Sequence, residues 1–95
     1  MKIPETLDEC YMELDKISDF SQWLQESEEI ATAGAHHSIG MWIRNNWNLW
    51  SGGELSKWFN RNGINHPDDM SNIILTSFYR YKNNQDIKLE EQLYY

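Results

Sequence analysis

The sequence predicts an all-α protein: a compact single domain over residues 1–95, with five or six short helices around a tryptophan-rich central helix. Apolar residues recur at spacings of three and four along several segments, which is the period of an amphipathic helix. Capping residues stand before and after those segments. No segment of strand length alternates clearly between apolar and polar residues. These observations together favour a bundle of helices.

The length and composition fit one small folded unit. At 95 residues the chain lies within the range of about 50–200 residues that single cores occupy. Hydrophobic residues make up 40% of it, too much for a disordered chain. A single cysteine, Cys10, excludes an internal disulfide and a cysteine-based zinc site. No apolar run approaches the roughly 18 residues of a membrane span, and the first residues carry no secretion signal, so we expect a cytoplasmic protein.

The acidic charge is concentrated in the first third of the chain. Residues 1–29 hold nine acidic side chains and two lysines, whereas residues 30–95 hold six of each sign, which leaves a net charge of −7. Because an acidic surface repels phosphates, we do not expect direct nucleic-acid binding. Two interpretations stay open: a solvated helix face, or a patch that docks a basic protein partner or mimics nucleic acid. The candidate contacts in such a patch are Glu26, Glu28 and Glu29.

The first third also carries the first helix signals. Thr6 and Glu9 fit a capping box, and the apolar spacing after them predicts a helix of about 11 residues. Ser18 and Asp19 can cap a second, shorter helix that would carry Phe20, Trp23 and Leu24. Residues 26–29 then read as a polar turn. Residues 30–34 are either a loop or the first turn of the next helix.

The best-defined helix spans residues 36–50, where three of the five tryptophans fall. At 100° per residue, six large apolar side chains share one face and are expected to form the core: Ile39, Trp42, Ile43, Trp47, Leu49 and Trp50. The tryptophan N–H groups would then need acceptors such as Asn46 or a backbone carbonyl. The opposite face carries Arg44, Asn45 and His37.

Three more helices are predicted in the second half. Ser51 and Glu54 fit another capping box, before a short helix that ends at Asn62-Gly63. Pro67 suits the first position of a longer helix that continues to about residue 82. A last short helix is expected to start at Asp86 and to run through Leu93, with a strand at residues 87–89 as the alternative.

The sequence resembles a family of short bacterial and phage proteins classed as a domain of unknown function. The similarity extends from Pro4 to Gln92 and implies a prokaryotic or viral, cytoplasmic setting without implying an activity. The segments that carry it are Gly40-Met41-Trp42-Ile43-Arg44-Asn45, then Trp47, Leu49 and Trp50, then Leu55, then Gly63-Ile64, His66-Pro67-Asp68-Asp69-Met70-Ser71, Ile74-Leu75 and Leu89-Glu90-Glu91-Gln92.

Arg44 is the centre of the candidate ligand site. An arginine fork suits phosphate or carboxylate, and neighbouring indole faces suit a base or a cation. Gly40 leaves room beside it for a ligand or another backbone. The ligand would be small and anionic or nucleotide-like, bound by His37, Gly40, Arg44, Asn45 and His66. The alternative is structural: Arg44 pairs with Asp68 or Asp69 at the start of the next helix, and His66 acts as a capping or packing residue.

Catalytic and metal-binding chemistry find little support. The histidines match no helix-borne metal pair, so we expect no metal site and no cofactor. Cys10 lies on an apolar helix stripe, where a thiol is inert. An exposed tryptophan near charged residues is typical of an interface, and Trp58 is the candidate.

The leading hypothesis is therefore a small non-enzymatic helical module that binds a protein partner, in a context such as phage–host defence. A binder of a small anionic or nucleotide-like ligand is the alternative, and an enzyme of unknown class comes third.

Overall fold

The computed structural model describes residues 3–94. Within that range it contains six α-helices and one 3₁₀ turn, and no strand, so the all-α prediction is confirmed. No helix among these residues is long and apolar enough to cross a lipid bilayer. The helices are α1 (Leu7–Ile17), α2 (Glu28–Ala35), α3 (Ile39–Asn46), α4 (Glu54–Arg61), α5 (Pro67–Lys82) and α6 (Leu89–Leu93), and the 3₁₀ turn is Trp23–Gln25.

Helix α5 lies at the centre of the fold. Its 16 residues include ten that are buried, and α1, α2, α3 and α4 all pack against it. A helix surrounded in this way needs small or apolar residues on most of its circumference, and α5 supplies them with Met70, Ile73, Ile74 and Phe78. The tryptophan-rich helix that we expected at the centre is its neighbour α3.

Helix α1 begins and ends as predicted. The Oγ1 atom of Thr6 accepts a hydrogen bond from the N–H of Glu9 at 3.2 Å. The carboxylate of Glu9 in turn accepts from the N–H of Glu5 at 2.9 Å, which satisfies a second free donor at the helix start. The 11 residues of α1 bury Cys10, Tyr11 and Leu14.

The prediction of a second helix after Ser18 is wrong, because only the 3₁₀ turn Trp23–Gln25 forms there. The Oδ1 atom of Asp19 accepts from the N–H of Ser21 at 2.9 Å and from its hydroxyl at 2.6 Å. Such a local side-chain bond offers the backbone an alternative to helix and favours a turn. Phe20 is buried next to it.

The prediction of a polar turn at residues 26–29 is also wrong. Ser27 caps α2, since its Oγ accepts from the N–H of Ile30 at 3.3 Å. Glu28 and Glu29 then lie in the first turn, where the helix dipole favours negative charge. Residues 30–34, for which loop and helix were both open, belong to α2.

The helix predicted over residues 36–50 is shorter than expected. Asn48 has a φ of 56°, in the left-handed region that asparagine adopts more readily than most residues. The N–H of Leu49 donates to the carbonyl of Arg44 at 3.3 Å, a bond that closes the end of α3. The apolar pattern continues beyond this point, but the helix does not.

The early end of α3 changes the position of its tryptophans. Trp47 is fully buried and Trp42 half-buried, whereas Trp50, which we expected in the core, is 60% exposed. The acceptors expected for the indole N–H groups form only in part. Asn46 donates to the carbonyl of Trp42 at 2.9 Å, and Nε1 of Trp47 has no partner among the described residues. A backbone carbonyl, that of Ala31, accepts from Nε1 of Trp23 at 2.7 Å.

Helix α5 starts at Pro67 as predicted, whereas α4 and α6 start at other residues than predicted. The capping box of Ser51 and Glu54 does not form. The N-cap of α4 is Gly53, so no side chain caps this helix. Helix α4 ends as predicted before Gly63, whose φ is 86°. Asp86 holds a turn by accepting a backbone N–H at 3.1 Å, so the last helix begins three residues later than predicted.

Candidate functional site

The guanidinium of Arg44 is buried between α3 and the start of α5. Its Nε lies 3.2 Å from Oδ1 of Asp68, and its side chain is 6% exposed. Nη1 donates to the hydroxyl of Ser71 at 2.8 Å, and Nη2 donates to the carbonyl of His36 at 3.1 Å. Of the two interpretations of Arg44, the structure contains the ion pair with Asp68.

Gly40 makes room for this guanidinium. A Cβ at that position would lie 3.1 Å from Nη1 of Arg44 and 3.2 Å from the carbonyl oxygen of Ala35. Both distances are shorter than ordinary van der Waals contact. The space that we interpreted as room for a ligand or another backbone is therefore next to the chain's own arginine.

The other predicted ligand residues lie outside this buried cluster. His37 is exposed in the turn between α2 and α3, so it does not share a helix face with Arg44 as we expected. Its ring contacts the His36 ring edge to face, with centroids 4.8 Å apart. Asn45 is exposed on α3.

His66 is an exposed capping residue. Its Nδ1 accepts a hydrogen bond from the N–H of Asp68 at 3.1 Å and begins α5, and its ring lies 6.3 Å from that of Trp50. Asp68 thus connects His66 to Arg44, while His37 and Asn45 remain apart. A ligand role for these five residues stays a prediction.

The three predicted partner-binding glutamates are not equivalent. Glu28 forms a two-point ion pair with Arg80, with Oε1 2.7 Å from Nε and Oε2 3.0 Å from Nη2. The Glu28 carboxylate raises the pKa of the Arg80 guanidinium further. Glu28 therefore joins α2 to α5, whereas Glu26 and Glu29 are exposed.

Trp58 lies elsewhere on the molecule. It is half-buried in α4, stacks edge to face on Phe59 at 5.0 Å and lines a shallow depression with Leu7 and Ile87. Trp58 therefore does not form one continuous partner surface with the exposed glutamates.

The metal-ligand side chains of the described residues are dispersed, and Cys10 is buried. Among residues 3–94 no three His, Cys, Asp or Glu side chains come together in a group that could hold a metal ion. Burial raises the pKa of the Cys10 thiol far above its usual value, so the reactive thiolate does not form at neutral pH.

An apolar groove is the main surface feature that sequence reasoning missed. It is formed by residues 18–39, has a volume of about 400 Å³, and is called here the 18–39 groove. Its floor consists of buried or half-buried side chains, which are Phe20, Trp23, Ala31, Ala35 and Ile39.

The rim of the 18–39 groove combines one large apolar side chain with carboxylates. Ile30 is 61% exposed there, although isoleucine is usually buried. Asp19 and Glu26 are charged rim residues, and within residues 3–94 no lysine or arginine lines the groove. Gly34 has no side chain to extend the rim, and the space beside it is open, since a Cβ built on it meets nothing within 4 Å.

Hydrogen bonds to the main body hold the walls of the groove. The indole Nε1 of Trp23 donates to the carbonyl of Ala31 at 2.7 Å and joins the 3₁₀ turn to α2. The hydroxyl of Tyr79 donates to the carbonyl of Glu26 at 2.6 Å and joins the start of α2 to α5. The groove is thus preformed, which lowers the cost of ordering it on binding.

Ile30 and Gly34 were within reach of sequence reasoning. They stand four residues apart, hence on one face of a helix. Residues 30–34 are compatible in sequence with a loop or a helix, and only the helix gives these two positions a shared face. Ser27, three residues before Ile30, was the signal that decides for helix.

The fold and these surfaces define a small all-α domain with a partly buried ion pair between α3 and α5 and an open apolar groove over residues 18–39. The family model for Domain of unknown function (DUF6794) matches residues 3–82, so the chain belongs to that family. The expected membership in a domain of unknown function is confirmed. Comparison with curated proteins and with solved structures gave no match.

Proposed function

We propose that this chain is a small non-enzymatic module that binds a protein partner through the 18–39 groove and its acidic rim. The observation that supports it is the coincidence of a preformed apolar groove with exposed carboxylates in the acid-rich first third of the chain. The ligand hypothesis centred on Arg44 has less support, because its guanidinium is already bonded to three groups of the chain.

The apolar part of the groove supplies the affinity in this proposal. Complete burial of an isoleucine side chain is worth about 1.5–3 kcal/mol, and Ile30 has most of its surface still to bury. The groove is small compared with a standard protein interface, so we expect a dissociation constant on the order of 100 μM for a short peptide.

The charges of the rim supply selectivity. Hydrogen bonds from Ser21 lower the pKa of Asp19, which keeps its carboxylate ionised. On the adjoining surface, Lys16 is paired with Glu13 at 3.0 Å and Lys82 with Asp15 at 3.0 Å. The field at the groove is therefore negative, and the partner should carry lysine or arginine beside an apolar patch.

The cellular setting is part of the proposal. The family resemblance implies bacteria and phages, and we place the binding in the cytoplasm of such cells. Occupation of a host-defence component by this acidic groove is one role that fits this setting.

Chemical-shift mapping tests the proposal. The ¹⁵N-labelled protein is titrated with a leucine–lysine amphipathic peptide and with a counterpart that has glutamate in place of lysine. We expect saturable shifts confined to residues 18–39 and their contacts on α5, with the lysine peptide alone, and weaker binding at high salt. No shift at millimolar peptide, or shifts centred elsewhere, would contradict it.

A further inference from the structure

We infer that the occupant of the 18–39 groove is an α-helix of the partner, with an apolar ridge and lysine or arginine on its flanks, packed closely against α2 at Gly34. The inference rests on the proposed function and specifies its partner. Three features of the groove carry it: the state of its hydrogen-bonding groups, the missing side chain at Gly34, and the position of its carboxylates.

The polar groups along the α2 side of the groove already bond to each other within the chain. The carbonyl of Ala31 accepts from Trp23, and the hydroxyl of Ser38 donates to the carbonyls of Gly34 and Ala35 at 3.4 Å. Residues 3–94 include no strand to which an extended peptide could add main-chain hydrogen bonds. An extended occupant would leave its own N–H and C=O groups unpaired on apolar surface, whereas a helix satisfies them internally.

Gly34 permits close approach of a second helix. A glycine inside a helix is less favourable than alanine. Nothing in the fold needs that glycine, since a Cβ there meets no atom within 4 Å and its φ is not in the left-handed region. By contrast, Gly40 is surrounded by the chain's own atoms. The empty space at Gly34 lies on the groove, where an apolar ridge can contact the α2 backbone.

The spacing of the exposed groove residues fits a helical partner. Ile30, Gly34 and Ser38 stand at successive steps of four and follow α2 into the turn after it. Asp19 and Glu26 are placed at the rim, not on the floor. A helix that lays its apolar stripe on Ile30 and Gly34 carries its basic residues on the flanks of that stripe, next to the carboxylates.

The test compares a helical peptide with a helix-broken variant of the same sequence by calorimetric titration of the full chain. One is a leucine–lysine peptide held helical by a side-chain staple, and the other has one central residue exchanged for proline. We expect the stapled peptide to bind at least tenfold more tightly than the proline peptide. Equal affinity of the two would overturn the helical occupant and leave the proposed function standing, whereas no binding of either would count against the proposed function itself.

Two variants test the close approach at Gly34. Gly34→Leu fills the groove and should reduce the affinity for the stapled peptide at least tenfold. Ala33→Leu adds the same side chain to an exposed neighbouring position of α2 and should leave the affinity unchanged. Helix content measured by circular dichroism confirms that both variants fold. Unchanged affinity of Gly34→Leu would refute contact at this residue.

Discussion

Arg44 and Asp68 form an ion pair that joins α3 to the first turn of α5, with Nε and Oδ1 3.2 Å apart. The two partners differ in environment, because the arginine side chain is 6% exposed and the aspartate side chain 45%. The pair is therefore half solvated. Its arginine nevertheless has no access to water on most sides, so removal of Asp68 leaves a buried charge without its partner. Removal of Arg44 takes a donor away from the buried hydroxyl of Ser71 and from the carbonyl of His36.

Arg44→Ala should lower the free energy of unfolding by about 2–3 kcal/mol, less than the 3–5 kcal/mol typical of fully buried pairs because Asp68 is partly solvated. Urea unfolding followed by circular dichroism measures it. Asn45→Ala, an exposed neighbour on α3, is the control and should change stability by less than about 0.5 kcal/mol. Equal stability of Arg44→Ala and Asn45→Ala would show that the pair contributes little.

The same substitution at two glycines should have opposite effects. Gly40→Ala places a Cβ 3.1 Å from Arg44 and should destabilise the fold. Gly34→Ala meets no neighbour and should stabilise it by about 0.5–1 kcal/mol through helix propensity. Thermal unfolding of the two variants measures the difference in sign, and an increase in melting temperature for Gly40→Ala would contradict the packing described for Arg44.

His66 should contribute to stability as a cap. His66→Ala removes the acceptor for the N–H of Asp68 and should cost about 1 kcal/mol, whereas His66→Asn supplies another capping acceptor and should cost less. His37→Ala, at an exposed histidine in a turn, is the matched control. If the alanine and asparagine variants unfold at the same urea concentration, the capping role of His66 is refuted.

Because Glu28 forms a two-point ion pair with Arg80, its removal should lower the stability of the fold more than removal of the other acidic residues of this region. Glu28→Ala should lower stability by about 1 kcal/mol, since both partners are partly solvated. Glu29→Ala should change it by only a few tenths of a kcal/mol, the size of a helix-dipole effect. Guanidinium chloride is an ionic denaturant that screens such pairs, so urea is the denaturant to use. Equal effects of the two substitutions on stability would show that the ion pair with Arg80 does not stabilise the fold.

The amphipathic segments with strong caps could be predicted from the sequence. Thr6 and Pro67 begin α1 and α5 as expected because their capping chemistry is local. Trp50 was misplaced for the opposite reason. Its apolar spacing fits the helix, but the left-handed conformation of Asn48 redirects the chain, and asparagine occurs in helices and in such turns alike.

The candidate site could be predicted only in part. The pairing of Arg44 with an aspartate near Pro67 was one of two predicted alternatives, and it followed from the need of a helix start for polar partners. The 18–39 groove did not follow, because it depends on how the 3₁₀ turn packs on α2. The indole of Trp23 donates to the carbonyl of Ala31, which belongs to a different helical element, and no local sequence pattern predicts that contact.

The affinity of Ile30→Ser for the stapled leucine–lysine peptide tests the central claim most directly. Ile30 contributes exposed apolar surface to the groove without adding a charge or supporting the core, so the variant should fold normally. Met12→Ser is the matched control, since Met12 is 62% exposed and lies outside the groove. Calorimetry should give a dissociation constant about tenfold weaker for Ile30→Ser and unchanged for Met12→Ser. Equal affinities of wild type and Ile30→Ser would contradict binding through the 18–39 groove.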